Sequence, residues 1–195
     1  MWSLTALPSS HIIIKNFMNL ENIERIKELG NEKEFEPSRI GGLGNSPEAT
    51  QQSLEIRSST NTWIEPNEKS EWLFRQLTDA INEANKKFFG FNLTAFEHLQ
   101  FTKYSEELRG RYGLHADVYG LMSEMRKLSV VIMLSDPADY AGGELKISLG
   151  EHAETVNNEQ GTAIFFPSYC IHEVTPVTRG TRLTLVTWVR GPKFI

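Results

Sequence analysis

Cysteine is almost absent: Cys170 is the only one in 195 residues. A single thiol excludes a disulfide framework and any zinc module built on four cysteines. Long apolar stretches are missing too. The longest purely aliphatic or methionine run is Val130–Leu134, far short of the roughly 20 residues that a membrane helix needs, so no membrane partner is expected. The stretch from Met1 to Phe17 has no basic start before Ile12-Ile13-Ile14, so it does not read as a secretory leader. With so little cysteine, a reducing, cytoplasmic setting is expected. Positive charge is not in excess either. Lys and Arg total 20 against 25 Asp and Glu, a net charge of −5. Nucleic acid, whose phosphates call for a basic patch, is disfavoured as a partner. There is no internal repeat and no low-complexity tract, and nothing in the composition speaks to oligomeric state.

What is present is ordinary for a folded domain: 39% hydrophobic and 23% charged residues. A chain of this length can bury about 70% of its unfolded surface, and one domain over residues 1–195 is expected. Residues 1–95 read as helical and strand support. His11–Lys15 suggests a short strand. Asn19 can cap a helix carrying Leu20, Ile23, Ile26 and Leu29, with Gly30 as its stop. Residues 41–62, rich in Gly, Ser and Gln, read mostly as loop, with a short strand near Leu54–Arg57 and the option of a substrate lid. A second helix is expected over Asn67–Phe89, where Leu73, Leu77, Ile81, Ala84 and Phe88 make one apolar face and Gly90 follows.

From Ala95 the period changes to two. Leu99 and Phe101 alternate with Gln100, Thr102 and Tyr104. Further strand runs follow at Tyr112–Val118, Leu128–Leu134, Glu144–Ser148, Ala153–Val156, Thr162–Phe166, Cys170–Thr175 and Arg182–Val189. About eight short strands separated by Gly, Pro and Asp turns indicate a sandwich or barrel.

One constellation in this region carries chemistry. In His115-Ala116-Asp117 the imidazole and carboxylate, two apart on a strand, project to one side. His172 lies 57 positions later on another predicted strand. Two histidines and one carboxylate on one face of a metal are the ligand set of non-haem Fe(II) oxygenases. Arg182 follows His172 by ten residues. If the flanking strands form a hairpin, it falls near the cross-strand neighbour of His172, where its guanidinium could grip a carboxylate through two parallel hydrogen bonds.

Residues 96–191 resemble the catalytic core of the Fe(II)/2-oxoglutarate-dependent oxygenases, and within them the prolyl 4-hydroxylase-like branch that includes the bacterial PKHD-type hydroxylases. The resemblance is carried by Tyr112-Gly-Leu-His115-Ala-Asp117, the run Arg126–Ser135, Gly142-Gly-Glu-Leu145, Gly161–Pro167, and His172–Arg182 with Trp188 beyond. It implies a mainly β fold with flanking helices: a double-stranded β-helix (a jelly-roll, cupin-like barrel) supported by N-terminal α-helices. It also implies that His115, Asp117 and His172 hold Fe(II), and that Arg182 pairs with the distal carboxylate of 2-oxoglutarate. Tyr104 takes the place of a tyrosine that bonds the same carboxylate in prolyl hydroxylases. Gln100 and Thr102 share the face of Tyr104, and Thr184 and Trp188 that of Arg182. All four, with Tyr112 and Met133, are candidates for lining the pocket. Met133 stands where some members carry a second tyrosine.

The implied reaction is hydroxylation of a C–H bond with consumption of O2 and 2-oxoglutarate and release of succinate and CO2, ascorbate being a candidate reductant. The implied substrate is a prolyl residue of a peptide or protein. A free amino acid or other small molecule is the alternative, and a non-catalytic cupin-like binding module the rival from another class. Oxidative repair of nucleic acid is disfavoured, because Thr184 occupies the Asn position of the repair enzymes' pattern after Arg182. His11, His98 and His152 lack partner spacing and read as structural or surface residues. Cys170 reads as a small buried hydrophobe, and Arg179 as a solvated turn residue.

Overall fold

The computed structural model describes residues 11–39, 55–118, 124–148, 153–156 and 158–193. Most of the expected 41–62 loop therefore lies outside the described residues. Its last part is strand rather than loop. The elements run as follows: β1 (Ile12–Ile14), α1 (Leu20–Asn31), β2 (Glu36–Pro37), β3 (Arg57–Ser58), β4 (Thr60–Ile64), α2 (Glu71–Ala84), β5 (Ala95–Phe96) and β6 (Leu99–Ser105). Then come β7 (Arg111–His115), β8 (Glu124–Met133), β9 (Tyr140–Gly142), β10 (Leu145–Ser148), β11 (Ala153–Thr155), β12 (Ala163–Pro167), β13 (Ile171–Val174) and β14 (Val177–Pro192).

Both helices stand where the apolar periodicity puts them. The Asn19 side chain caps α1 by accepting the Asn22 N–H at 2.8 Å, satisfying a donor that the first helical turn leaves free. The start of α2 falls later than the sequence suggests. The Asn67 side chain accepts the N–H groups of Lys69 and Ser70, a local turn that competes with helix until Glu71. Past Ala84 the helix widens into a π-type turn over Asn85–Phe89 and closes at Gly90, whose N–H reaches the Asn85 carbonyl at 2.8 Å.

The strands form two antiparallel sheets. The larger runs β1-β12-β8-β14-β6-β4-β2, with β5 and β9 added along β14; the smaller runs β11-β10-β13-β7-β3. Most pairings join sequence-distant strands, as in a double-stranded β-helix; β1 and β3 fall at the short strands expected near His11–Lys15 and Leu54–Arg57, while β2, β4 and β9 are additional. No helix of the described residues is long and apolar enough to cross a membrane.

Two apolar clusters sit on either side of the larger sheet. On its outer face Ile23, Ile26, Leu73, Leu77 and Ile81 of the helices meet Leu99, Phe101, Leu128, Ile132, Phe165 and Leu185 of the strands. Each such side chain contributes about 1.5–3 kcal/mol through burial. Between the sheets lies the second cluster, with Tyr104, Val131, Met133, Ile147, Phe166, Cys170 and Val174. It borders a cavity, and there the candidate site is found.

One positional expectation changes. His172 and Arg182 are not cross-strand neighbours in a hairpin. Between them the chain switches sheets: β13 pairs with β10 and β7, while Arg182 on β14 pairs with Tyr104 of β6. The switch falls at Thr175-Pro176, and proline has no N–H with which to continue a ladder. Arg182 thus reaches the interior from the sheet opposite His172.

Candidate functional site

Three side chains converge at one end of the adjacent inner strands β7 and β13 of the smaller sheet. His172 and His115 are register partners on β13 and β7, and their rings lie 4.1 Å apart. Asp117 sits just past the end of β7, tied by its N–H to the Ser168 carbonyl at 2.8 Å. Its carboxylate oxygens are 3.6 Å from His115 Nε2 and 3.4 Å from His172 Nε2. One ligand atom from each residue fits within a 4.8 Å spread.

The two imidazoles are oriented alike. His115 Nδ1 donates to the Gly113 carbonyl at 2.7 Å and His172 Nδ1 to the Cys170 carbonyl at 3.0 Å. A carbonyl only accepts, so the Nδ1 atoms carry the protons and both Nε2 lone pairs face Asp117. Burial, and then the repulsion of His172, push the His115 pKa down to about 4. The ring is thus neutral and able to ligate well below the ordinary histidine range. Burial alone would raise the Asp117 carboxyl, but the positive charge that His172 or His115 carries when protonated, and the Ser129 hydroxyl, set it below its usual value. Ser129 Oγ donates to Asp117 Oδ2 at 2.8 Å and lies 2.9 Å from Ser168 Oγ. Such a set of neutral and anionic donors, fixed by outer partners, fits a divalent transition metal.

The remainder of the site is a narrow cavity between the sheets. Its wall includes the three residues above, Gln100, Tyr104 and Arg182, and Tyr112, Thr184 and Trp188. The cavity thus gathers most of the candidates. Arg182 is 1% exposed. Its Nε has no partner, one Nη reaches the Met133 sulfur at 3.6 Å, and the Tyr104 ring lies 5.3 Å away. No carboxylate pairs with it among the described residues. A guanidinium buried without a counter-ion is costly and therefore receptive to an anion. That asymmetry, a ligand cluster on one sheet and an unpaired cation on the other, suits a dianion that chelates a metal at one end.

Two candidates stand back from the cavity. Thr102 shares the inner face but lies behind Gln100, its hydroxyl 3.3 Å from the Gln100 side-chain oxygen. Met133 touches Arg182 rather than the open space. Neither is among the residues lining the cavity. Tyr112 stacks on His115 with centroids 3.5 Å apart. Cys170 is buried in the inner cluster, and burial raises its thiol to about 11, so it behaves as a small hydrophobe. Arg179 is exposed and bonds the Ala138 carbonyl at 3.0 Å.

The sequence reading missed Arg57. It is buried at the cavity wall, donates to Gln100 at 2.8 Å and to Ser59 at 3.1 Å, and covers the Tyr112 ring at 4.6 Å. Its stretch carries no periodicity, so only the faint strand signal near Leu54–Arg57 hinted at it. Glu97 was also missed. It binds Arg126 through both oxygens, at 2.8 and 2.6 Å, and Arg190 at 2.8 Å. Arg126 in turn lies over the Trp188 ring at 3.8 Å.

Residues 99–190 match the sequence model of a family described as the 2OG-Fe(II) oxygenase superfamily. The chain is 43% identical over 84 residues to a PKHD-type hydroxylase of Sphingopyxis alaskensis, covering 41% of this chain and 38% of that protein. With a PKHD-type hydroxylase of Gloeothece citriformis it shares 33% over 130 residues, covering 63% of this chain and 58% of the relative. The chain thus spans less than two thirds of these relatives' length. Among solved structures, a prolyl-4-hydroxylase of Pseudomonas putida superposes with a TM-score of 0.70 at 21% identity, over 94% of each chain. A prolyl hydroxylase of Trichoplax adhaerens, in complex with a hypoxia inducible factor peptide fragment, does so with 0.74 at 18% identity, over 92% of this chain and 83% of that one. These likenesses establish the double-stranded β-helix fold.

Proposed function

We propose that the protein is a dioxygenase of the 2OG-Fe(II) oxygenase superfamily, whose sequence model residues 99–190 match, and that it hydroxylates a prolyl residue of a peptide or protein. His115, Asp117 and His172 hold Fe(II), and Arg182 with Tyr104 binds the distal carboxylate of 2-oxoglutarate. Iron bound there supplies activation of O2 coupled to decarboxylation of 2-oxoglutarate, yielding succinate, CO2 and a hydroxylated C–H bond. Ascorbate serves as reductant. The protein's own part is to present two neutral imidazoles and a carboxylate, to bind the cosubstrate dianion and to keep the centre dry.

The observation that carries this reading is the pairing, in one cavity, of the His-Asp-His cluster with the unpaired, buried Arg182 guanidinium. A peptide substrate is supported by the peptide bound to the Trichoplax relative, and Arg57, Gln100 and Tyr112 offer polar and aromatic groups on the cavity wall.

The test is succinate release by the purified protein with Fe(II), ascorbate and 2-oxoglutarate. A proline-rich peptide, free amino acids and a methylated oligonucleotide are compared side by side. Stimulation by the peptide alone is the expected result, and a hydroxyproline product confirms it. Stimulation by a free amino acid moves the assignment to a small-molecule hydroxylase. No turnover together with no iron binding leaves the binding-module alternative.

A further inference from the structure

We propose that Tyr140 and Gly143 form a rigid back wall behind Arg182 and thereby set the length of the dicarboxylic cosubstrate that the pocket accepts. The inference rests on Arg182 being the cosubstrate arginine. The position of this guanidinium is unusual in what holds it. Its Nε is buried without a hydrogen-bond partner. One Nη bonds the Met133 sulfur, soft and on a flexible side chain. Firm contacts come from behind. A Cβ on Gly143 would lie 2.8 Å from Arg182 Cδ, 2.9 Å from Val177 Cγ2 and 3.6 Å from Tyr140 Cε2. The missing side chain is thus the groove in which the arginine stem lies. Gly143 also has φ +62°, a conformation that suits glycine.

Tyr140 is 4% exposed and is not part of the cavity wall, so it acts through Arg182 as a positioning residue. Its hydroxyl accepts the Asn158 amide at 3.3 Å. Together with Tyr104 it favours the charged guanidinium against the pull of burial. The backbone makes this wall stiff. Tyr140 is the register partner of Gly180, two residues before Arg182 on β14. A Cβ on Gly180 would lie 2.1 Å from the Asp139 carbonyl oxygen. Wall and arginine therefore move together or not at all. Since the His-Asp-His cluster is fixed on the opposite sheet, the depth of the guanidinium decides how long a diacid can span the two.

Binding of oxaloacetate, 2-oxoglutarate and 2-oxoadipate (four, five and six carbons) to the Mn(II)-loaded protein, followed by calorimetry, tests this without turnover. The native protein should prefer the five-carbon acid. Tyr140→Ala lets the guanidinium settle back, and the Kd ratio should shift towards 2-oxoadipate by about tenfold, the scale of one methylene in a pocket. Tyr140→Phe keeps the wall and loses the hydroxyl. Its 2-oxoglutarate Kd should rise about 2- to 10-fold with the ratio unchanged. If Tyr140→Ala does not fold, Tyr140→Leu carries the same comparison. An unaltered ratio in the shortened variant, or native affinity in Tyr140→Phe, overturns the proposal. A native protein that binds none of the three acids overturns the cosubstrate assignment itself, and this inference with it.

Discussion

The two faces of the larger sheet show how one set of strands serves two purposes. On β6, Leu99 and Phe101 point outward into the helix-covered cluster, while Gln100 and Tyr104 point inward to the cavity. On β14, Leu185 and Val189 face out and Arg182, Thr184 and Trp188 face in. The outer face is dry and apolar. The inner face carries a buried cation and, across the gap, a buried carboxylate between two imidazoles. The larger apolar cluster lies on the outer side, and the smaller inner one shares its space with groups that folding alone would not favour. Substitutions on the two faces should therefore fail in different ways.

The largest effect is expected from His172→Ala. It removes one of three converging ligands, and 2-oxoglutarate turnover and iron binding should both be lost while the circular dichroism spectrum stays native. Retained turnover would separate the cluster from the chemistry. On the outer face, Leu73→Ala empties a fully buried position of α2 and should destabilise the fold by about 2–5 kcal/mol in urea denaturation. Activity per folded molecule should be unchanged. A loss of activity that outruns the loss of folded protein would show the two faces to be coupled.

Ser129→Ala tests the support of the inner face. Without the hydroxyl bond to Asp117, iron affinity should fall by about 10- to 100-fold, and the urea midpoint should move far less than for Leu73→Ala. A smaller, pH-dependent effect belongs to Glu97. Burial would raise its carboxyl, but the hydrogen bonds and charges of Arg126 and Arg190 bring it below the usual glutamate value. A carboxyl lower in the folded than in the unfolded chain stabilises above the unfolded value, and this stability is lost as pH falls through the folded one. Denaturation midpoints measured from pH 6 to pH 3 should therefore drop less in Glu97→Gln than in the native protein. Equal slopes would show that the Arg126–Glu97–Arg190 cluster contributes nothing to folding.

Legibility in the sequence followed local pattern. Asn19, Ile23 and Ile26 announced α1, and the spacing of Leu73, Leu77 and Ile81 announced α2, because helical periodicity and capping are local properties. His115, Asp117, His172 and Arg182 were readable as a group because metal and carboxylate chemistry restricts which residue types can serve. Arg57 and Glu97 were not readable. A lone arginine or glutamate acquires meaning only from what folding brings against it: Tyr112 and Gln100 for the first, Arg126 and Arg190 for the second. Tyr140 was hidden for the same reason, since its position behind Arg182 comes from the pairing of β9 with β14.

By itself, then, the sequence determined the period of the helices and main strands, the scarcity of thiol and the lack of excess positive charge, and the four residues suited to a metal and a dianion. Only the tertiary structure decided that His172 and Arg182 face each other across a gap instead of along a hairpin. Register within a strand is written in neighbouring residues. Which sheet a strand joins after Thr175-Pro176 depends on burying two apolar faces at once, and that condition is met only by the whole fold.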